Sequence, residues 1–187
     1  MKSHFYLLAI LMFIFSLSAE AQKGNNQLQI AGQVAIPTGE LGDLAKTGFG
    51  ASAKGLFGFG VTRQQITVEL GYNYFAVQDK YLPTGVDAQY RSIPLYTGYR
   101  YMLGDFYLES QAGVAINTIY ASNAFQLESD TKAYFAWAAG VGYSLKSFDF
   151  SVRYQSSDVQ KESSDITFVG FRVGYRLPFY NKNDQWK

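Results

Sequence analysis

Cysteine is absent from this chain of 187 residues, and histidine occurs once, as His4. The first absence rules out disulfides, thiol nucleophiles and cysteine-held metals in one step. The fold must therefore be held without covalent staples. Charge is nearly balanced, 16 Lys and Arg against 15 Asp and Glu, so no basic surplus favours nucleic acid. Proline occurs only four times. The one long apolar run, Phe5 to Leu17, is shorter than the roughly 20 residues a spanning helix requires.

That run follows the basic Lys2 and leads to Ala19-Glu20-Ala21, a small-x-small cleavage pattern. Residues 1–21 are therefore expected to be a cleaved signal peptide, with the mature chain starting near Gln22. Cleavage removes His4 and leaves 166 residues, enough for one domain at 22–187. Ser-His-Asp catalysis, and metal sites built on histidine or cysteine, are then closed to the mature chain.

What the chain does contain is aromatic residues, with 15 Tyr and 15 Phe, and 18 Gly. Mean hydropathy is nonetheless −0.09. Such averaging arises when apolar and polar residues alternate singly, as in strands with one apolar and one wet face. From Gln27 onward the period is two. Leu28, Ile30, Val34 and Ile36 share a face against Gln27, Gln29 and Gln33; Ile66, Val68, Leu70, Tyr72 and Tyr74 oppose Thr67, Glu69 and Asn73. Continued to Leu177, the pattern gives eight strands, each long enough to cross a bilayer at a tilt, which takes about 9 to 11 residues.

Connections alternate in length. Thr38 to Lys46, Gln78 to Ala88, Ala121 to Thr131 and Ser156 to Asp165 read as long polar loops, and the intervening connections are short. Gly104-Asp105 is a two-residue hairpin candidate that would set Leu103 opposite Phe106 and Arg100 opposite Glu109. Lys146-Ser147 plays the same part further on. Short turns and both chain ends then share one side, periplasmic in bacterial outer-membrane barrels. Pro94 lies within the fourth strand and cannot donate to a ladder, so a bulge or late strand start is expected there.

The two faces differ in chemistry. One carries Lys54, Glu69, Arg100, Glu109, Asp149, Arg153, Arg172 and Arg176; the other carries no charge in the strand cores. A soluble eight-stranded barrel would turn those charges outward, and a membrane barrel would turn them inward. Aromatics favour the membrane. Phe57, Phe59, Tyr99, Tyr101, Phe106, Tyr143, Phe148, Phe150, Tyr175 and Phe179 gather at the short-turn ends of the uncharged face, and Phe49, Tyr72, Tyr74, Tyr120, Phe135 and Trp137 at the long-loop ends. Two such belts match the girdles of membrane barrels. The expected fold class is all-β, an eight-stranded antiparallel up-and-down transmembrane β-barrel.

The eight charged residues form an expected interior polar cluster of five basic and three acidic side chains. Arg100 with Glu109 follows from the hairpin register; Lys54 with Glu69, and Asp149 with Arg172, are further expected pairs. Such residues usually plug a narrow lumen with charge-assisted hydrogen bonds, and the alternative is a narrow anion-favouring path along Arg153, Arg172 and Arg176. Carboxylate-only catalysis stays formally open through Glu69, Glu109 and Asp149. Asp158, Glu162 and Asp165 could gather calcium, although no ligand spacing recurs. Lys80-Tyr81-Leu82-Pro83 and Phe125 could meet a surface partner. No catalytic, cofactor or metal site is assigned.

Certain strings carry a resemblance: Ala35-Ile36-Pro37-Thr38-Gly39, Lys46-Thr47-Gly48-Phe49-Gly50, Ile93-Pro94-Leu95 with Gly98-Tyr99-Arg100-Tyr101, and Gly170-Phe171-Arg172-Val173-Gly174-Tyr175. Through them the mature chain resembles the small outer-membrane β-barrel domain family common in Bacteroidetes, and more distantly the OmpA, OmpX and OmpW type of eight-stranded barrel. The family's terminal aromatic signal would fall at Tyr175, Leu177 and Phe179, with Asn181 to Lys187 continuing beyond it. The resemblance implies an outer-membrane location, outer-membrane lipids and the barrel assembly machinery as partners, and no nucleic acid. The expected function is non-enzymatic envelope structure with loops for surface interaction, by a monomer. The alternatives are a narrow transport path and an adhesion or ligand-binding module on the long loops.

Overall fold

The alternation persists as eight strands: β1 (Gln27–Thr38), β2 (Gly48–Gly58), β3 (Gln64–Ala76), β4 (Asp87–Leu103), β5 (Phe106–Ser122), β6 (Leu127–Leu145), β7 (Phe148–Asp158) and β8 (Asp165–Pro178). The structure is a computed structural model that describes residues 26–59, 63–83, 85–122, 127–158 and 165–178. The leader expected at residues 1–21, Phe125, Glu162, Phe179 and the tail from Asn181 lie outside the described residues. Every neighbouring pair is antiparallel, and β8 returns to β1 to close the barrel, so no strand is left as a sheet edge along its full length. The expected architecture is borne out.

Register sets the width. One hydrogen-bonded row runs from Gln27 through Leu56, Thr67, Gly98, Gln111, Ala138, Gln155 and Phe168, and returns to β1 at Pro37. A circuit of eight strands therefore climbs ten residues along β1, from 27 to 37. Strand number and stagger together fix a small bore that side chains can fill.

Both proposed hairpins form as read. Leu103 pairs with Phe106 and Arg100 with Glu109, and Gly104 takes φ +71°, a left-handed conformation that glycine adopts without steric cost. Leu145 pairs with Phe148, with Lys146 at φ +53°.

Pro94 departs from expectation. β4 begins at Asp87 and runs through Pro94 without a bulge: Leu70 pairs with Leu95 and Asn73 with Ser92 in one register. The β5 ladder is unbroken at Pro94, opposite Ala115, whereas on the β3 side the pairing skips Gly71 and Tyr72. The missing donor thus faces β3, where Gly71 leaves space for the ring: a Cβ there would sit 3.1 Å from Pro94 Cγ.

The segment Ala121 to Thr131 also differs from the loop expected. β5 and β6 continue in register out to Ser122 opposite Leu127, while the β6–β7 ladder stops at Ala136 opposite Ser157. Strands β4 to β6 therefore project past the rim as a ribbon. A ladder wet on both faces needs no apolar alternation, so periodicity could not reveal it.

Side chains sort by parity. Phe135 is 64% exposed and Leu70 and Leu95 each 55%, whereas Glu69 is fully buried and Arg100 and Asp149 are 1% exposed. That inverts the ordinary distribution in water, where unpaired charges avoid the interior and large apolar surfaces are hidden. The aromatic belts pack sideways, Phe106 against Tyr143 at 4.9 Å and Phe148 against Tyr175 at 5.4 Å on the short-turn side, Trp137 against Tyr154 at 5.6 Å on the other.

Candidate functional site

The barrel's inward face brings together seven of the eight charged residues singled out in the sequence. Glu69 on β3 lies at the centre: Lys54 Nζ approaches it at 2.9 Å, Arg153 Nη1 at 3.0 Å and Arg172 Nη1 at 2.9 Å. Lys54 also reaches Glu109 at 2.8 Å, and Glu109 takes Arg100 Nη2 at 2.8 Å. Arg100 then passes to Asp149 at 3.1 Å. Two of these pairs were legible from register, since Lys54 stands opposite Glu69 and Arg100 opposite Glu109.

The expected pairing of Asp149 with Arg172 does not form. Asp149 sits opposite Gly174 and Arg172 opposite Ser151, so the two lie at different heights in the bore. Asp149 instead accepts from Arg100, Tyr107 and Ser144, while Arg172 crosses the lumen to Glu69 and Ser52. The bore is narrow enough that chords across it compete with neighbours along the wall. Arg176 stands apart from the cluster, at the short-turn rim, where it donates to Gln27 Oε1 at 3.5 Å and to the Lys146 carbonyl.

Neutral partners complete the network. Gln111 donates to Glu69 at 3.1 Å and accepts from Arg153 at 2.8 Å. Tyr107 lies beneath the Arg100 guanidinium, and Gly142 makes room for it: a Cβ at Gly142 would run into the ring. Tyr107 and Gln111 share the parity of Glu109 on β5, which puts them on this face, but which charge each meets depends on the circumference.

Above the charges, past buried polar side chains such as Asn73, Asn117 and Gln155, the lumen holds an apolar cluster. The β1–β2 connection folds into a short helix α1 (Glu40–Leu44), and Leu41 and Ala45 pack with Ala35, Phe75, Tyr90, Ile166 and Phe168. Phe75 meets Phe168 edge-on at 5.2 Å. Gln78 stitches the helix to the β3–β4 connection by donating to the carbonyls of Gly42 and Ala45, and Lys46 bridges Asp79 at 2.8 Å. Sequence reading missed this lid. Its one available signal was the doublet Tyr74-Phe75, of which only one ring can face lipid.

The anion path once open through Arg153, Arg172 and Arg176 is not laid out in this geometry, because the first two are fixed on Glu69 and the third is at the rim. Asp158 and Asp165, two of the three acidic residues weighed for calcium, stand opposite each other at the end of the β7–β8 ladder. Lys80 lies over its neighbour Tyr81, 4.7 Å from the ring centre.

A closed barrel with apolar exterior, aromatic belts and enclosed charges is the geometry of an outer-membrane protein. A family model described as the outer membrane protein beta-barrel domain matches residues 7–179. The chain belongs to this family. The barrel is also similar in structure to Ail, the attachment invasion locus protein of Yersinia pestis, crystallised with the heparin analogue sucrose octasulfate. There the TM-score is 0.63 at 16% identity, over 83% of this chain and 100% of that one. The N-terminal β-barrel domain of Pseudomonas aeruginosa OprF gives 0.58 at 15% identity, over 83% and 100%. Neisserial surface protein A gives 0.54 at 16% identity, over 84% and 100%. At such identities the likeness is one of fold. No curated protein matches the chain in sequence. Family and neighbours point to the bacterial outer membrane as the site of this barrel.

Proposed function

We propose that the protein is a non-enzymatic structural component of the outer membrane, exported by a signal peptide cleaved after residue 21 and presenting the rim that carries α1 and the β4 to β6 ribbon outside. The observation that carries this reading is the filled lumen: a seven-residue ion network at mid-height and an apolar lid under α1. Ion pairs of this kind fasten opposite walls together. The mature chain also lacks the imidazole and thiol on which nucleophilic catalysis generally relies. Outer-membrane lipids and the barrel assembly machinery are its proposed partners, and a monomer its proposed state. Planar-bilayer recording with pure refolded protein tests the reading: no unit conductance is expected, and no lipid turnover in a parallel assay. Reproducible conductance that changes with Arg172→Ala would replace it by a transport path.

A second reading, surface interaction, draws on the ribbon of β4 to β6 beyond the rim. Its described charges are mixed, with Asp130 paired to Lys132 at 2.9 Å, so among the described residues the ribbon carries no basic patch like those that bind polyanions. Shortening the ribbon tests this reading. Loss of cell binding, with the barrel still assembled, would support it.

A further inference from the structure

The ion network divides into two groups of unequal charge. On the short-turn side Lys54 and Arg100 face Glu109 and Asp149, two cations against two anions. Above them Arg153 and Arg172 both lean on Glu69, which Lys54 also contacts, so one carboxylate is asked to balance two guanidinium groups. The surplus positive charge therefore sits on Arg153 and Arg172, which are 6% and 5% exposed. A buried surplus charge is unfavourable unless something of opposite sign lies against it.

Beside these two side chains is a void. Tyr107, Glu109, Gln111, Gly140 and Ser151 line it together with Arg153 and Arg172. Its volume of about 10 Å³ leaves room for one small particle. Arg153 Nε is buried and has no hydrogen-bond partner. Ser151 adds a hydroxyl donor to the lining. Glu109 disfavours an anion there, but Lys54 and Arg100 already neutralise it at 2.8 Å each.

We infer that this void is a binding site for one halide-sized monovalent anion, chloride in ordinary media, held by Arg153, Arg172 and the Ser151 hydroxyl. The anion completes the charge balance of the plug. It does not require a conducting lumen, because the lid of Leu41, Phe75 and Phe168 lies above the network.

The test uses the mature barrel in detergent micelles and in crystals. Melting temperature is measured at constant ionic strength while fluoride is exchanged for chloride or bromide. A saturable rise of about 3 °C with chloride and bromide is expected, the size produced by a ligand present at several times its dissociation constant. Ser151→Asp places a carboxylate in the void, and is expected to abolish the halide response while melting as high without halide as the unchanged protein does with it. Crystals soaked in bromide should show anomalous scattering between Arg153 and Arg172. No bromide peak there overturns the proposal, and so does a halide response that survives in a folded Ser151→Asp barrel, which would mark a general salt effect.

Discussion

The Arg100 guanidinium carbon lies 3.8 Å from the centre of the Tyr107 ring, and both side chains hold Asp149. The tyrosine supplies at once a π face for the cation and a donor for the anion, so a charge pair that spans the bore is supported from the wall between its ends. The arrangement exists because Gly142, on the next strand, has no side chain to occupy the space.

Gly142→Ala should therefore destabilise the barrel by about 1–3 kcal/mol, the usual penalty of overpacking. Gly32→Ala is the control. It lies on the outer face, and a Cβ there would have nothing within 4 Å. Urea unfolding in lipid vesicles should separate the two, with Gly32→Ala close to the unchanged protein.

Removing Glu69 leaves Lys54, Arg153 and Arg172 without the carboxylate they share. Glu69→Ala should lower stability by about 3–5 kcal/mol, as breaking one side of a buried ion cluster does. The double variant Glu69→Ala/Arg172→Met should recover part of that loss. No recovery in a double-mutant comparison would mean that the carboxylate acts by packing alone.

Leu70 is 55% exposed on the face assigned to lipid, on the strand that carries Glu69 inward. Leu70→Arg should lower stability by about 2–4 kcal/mol near the bilayer midplane, and much less in a water-soluble assembly. An arginine there that leaves vesicle unfolding unchanged would contradict the orientation of the wall.

The lid can be loosened without touching the strands. Leu41→Asp should free α1, and the Ala45 amide, which donates to the Leu41 carbonyl at 2.8 Å, should exchange its hydrogen about tenfold faster or more. Amides in the ladder between β1 and β8 should be unaffected, which hydrogen-exchange mass spectrometry can resolve.

Much of this was legible in the residues. Alternation from Gln27 gave the strands and their faces, because a pleated ladder puts consecutive side chains on opposite sides whatever lies around it. The turns at Gly104-Asp105 and Lys146-Ser147 fixed register locally, and with it the Arg100–Glu109 pair. Asp149 faces inward as its parity requires, but its partner is Arg100 and not Arg172, because parity reports which side of the wall a residue faces and says nothing of its height around the circuit. Pro94 was misjudged in the same way, since a missing donor matters only on the side toward which it would have pointed.

Composition and period alone determined that this chain forms a wall with an apolar and an ionised side, since those properties are local and repeat every two residues. Only closure decided which charges meet, where Phe75 and Leu41 form a lid, and that Arg153 and Arg172 share one carboxylate beside a void. The ten-residue climb around eight strands sets which distant residues face each other across the bore. That distance is a property of the whole circumference, which no single strand carries.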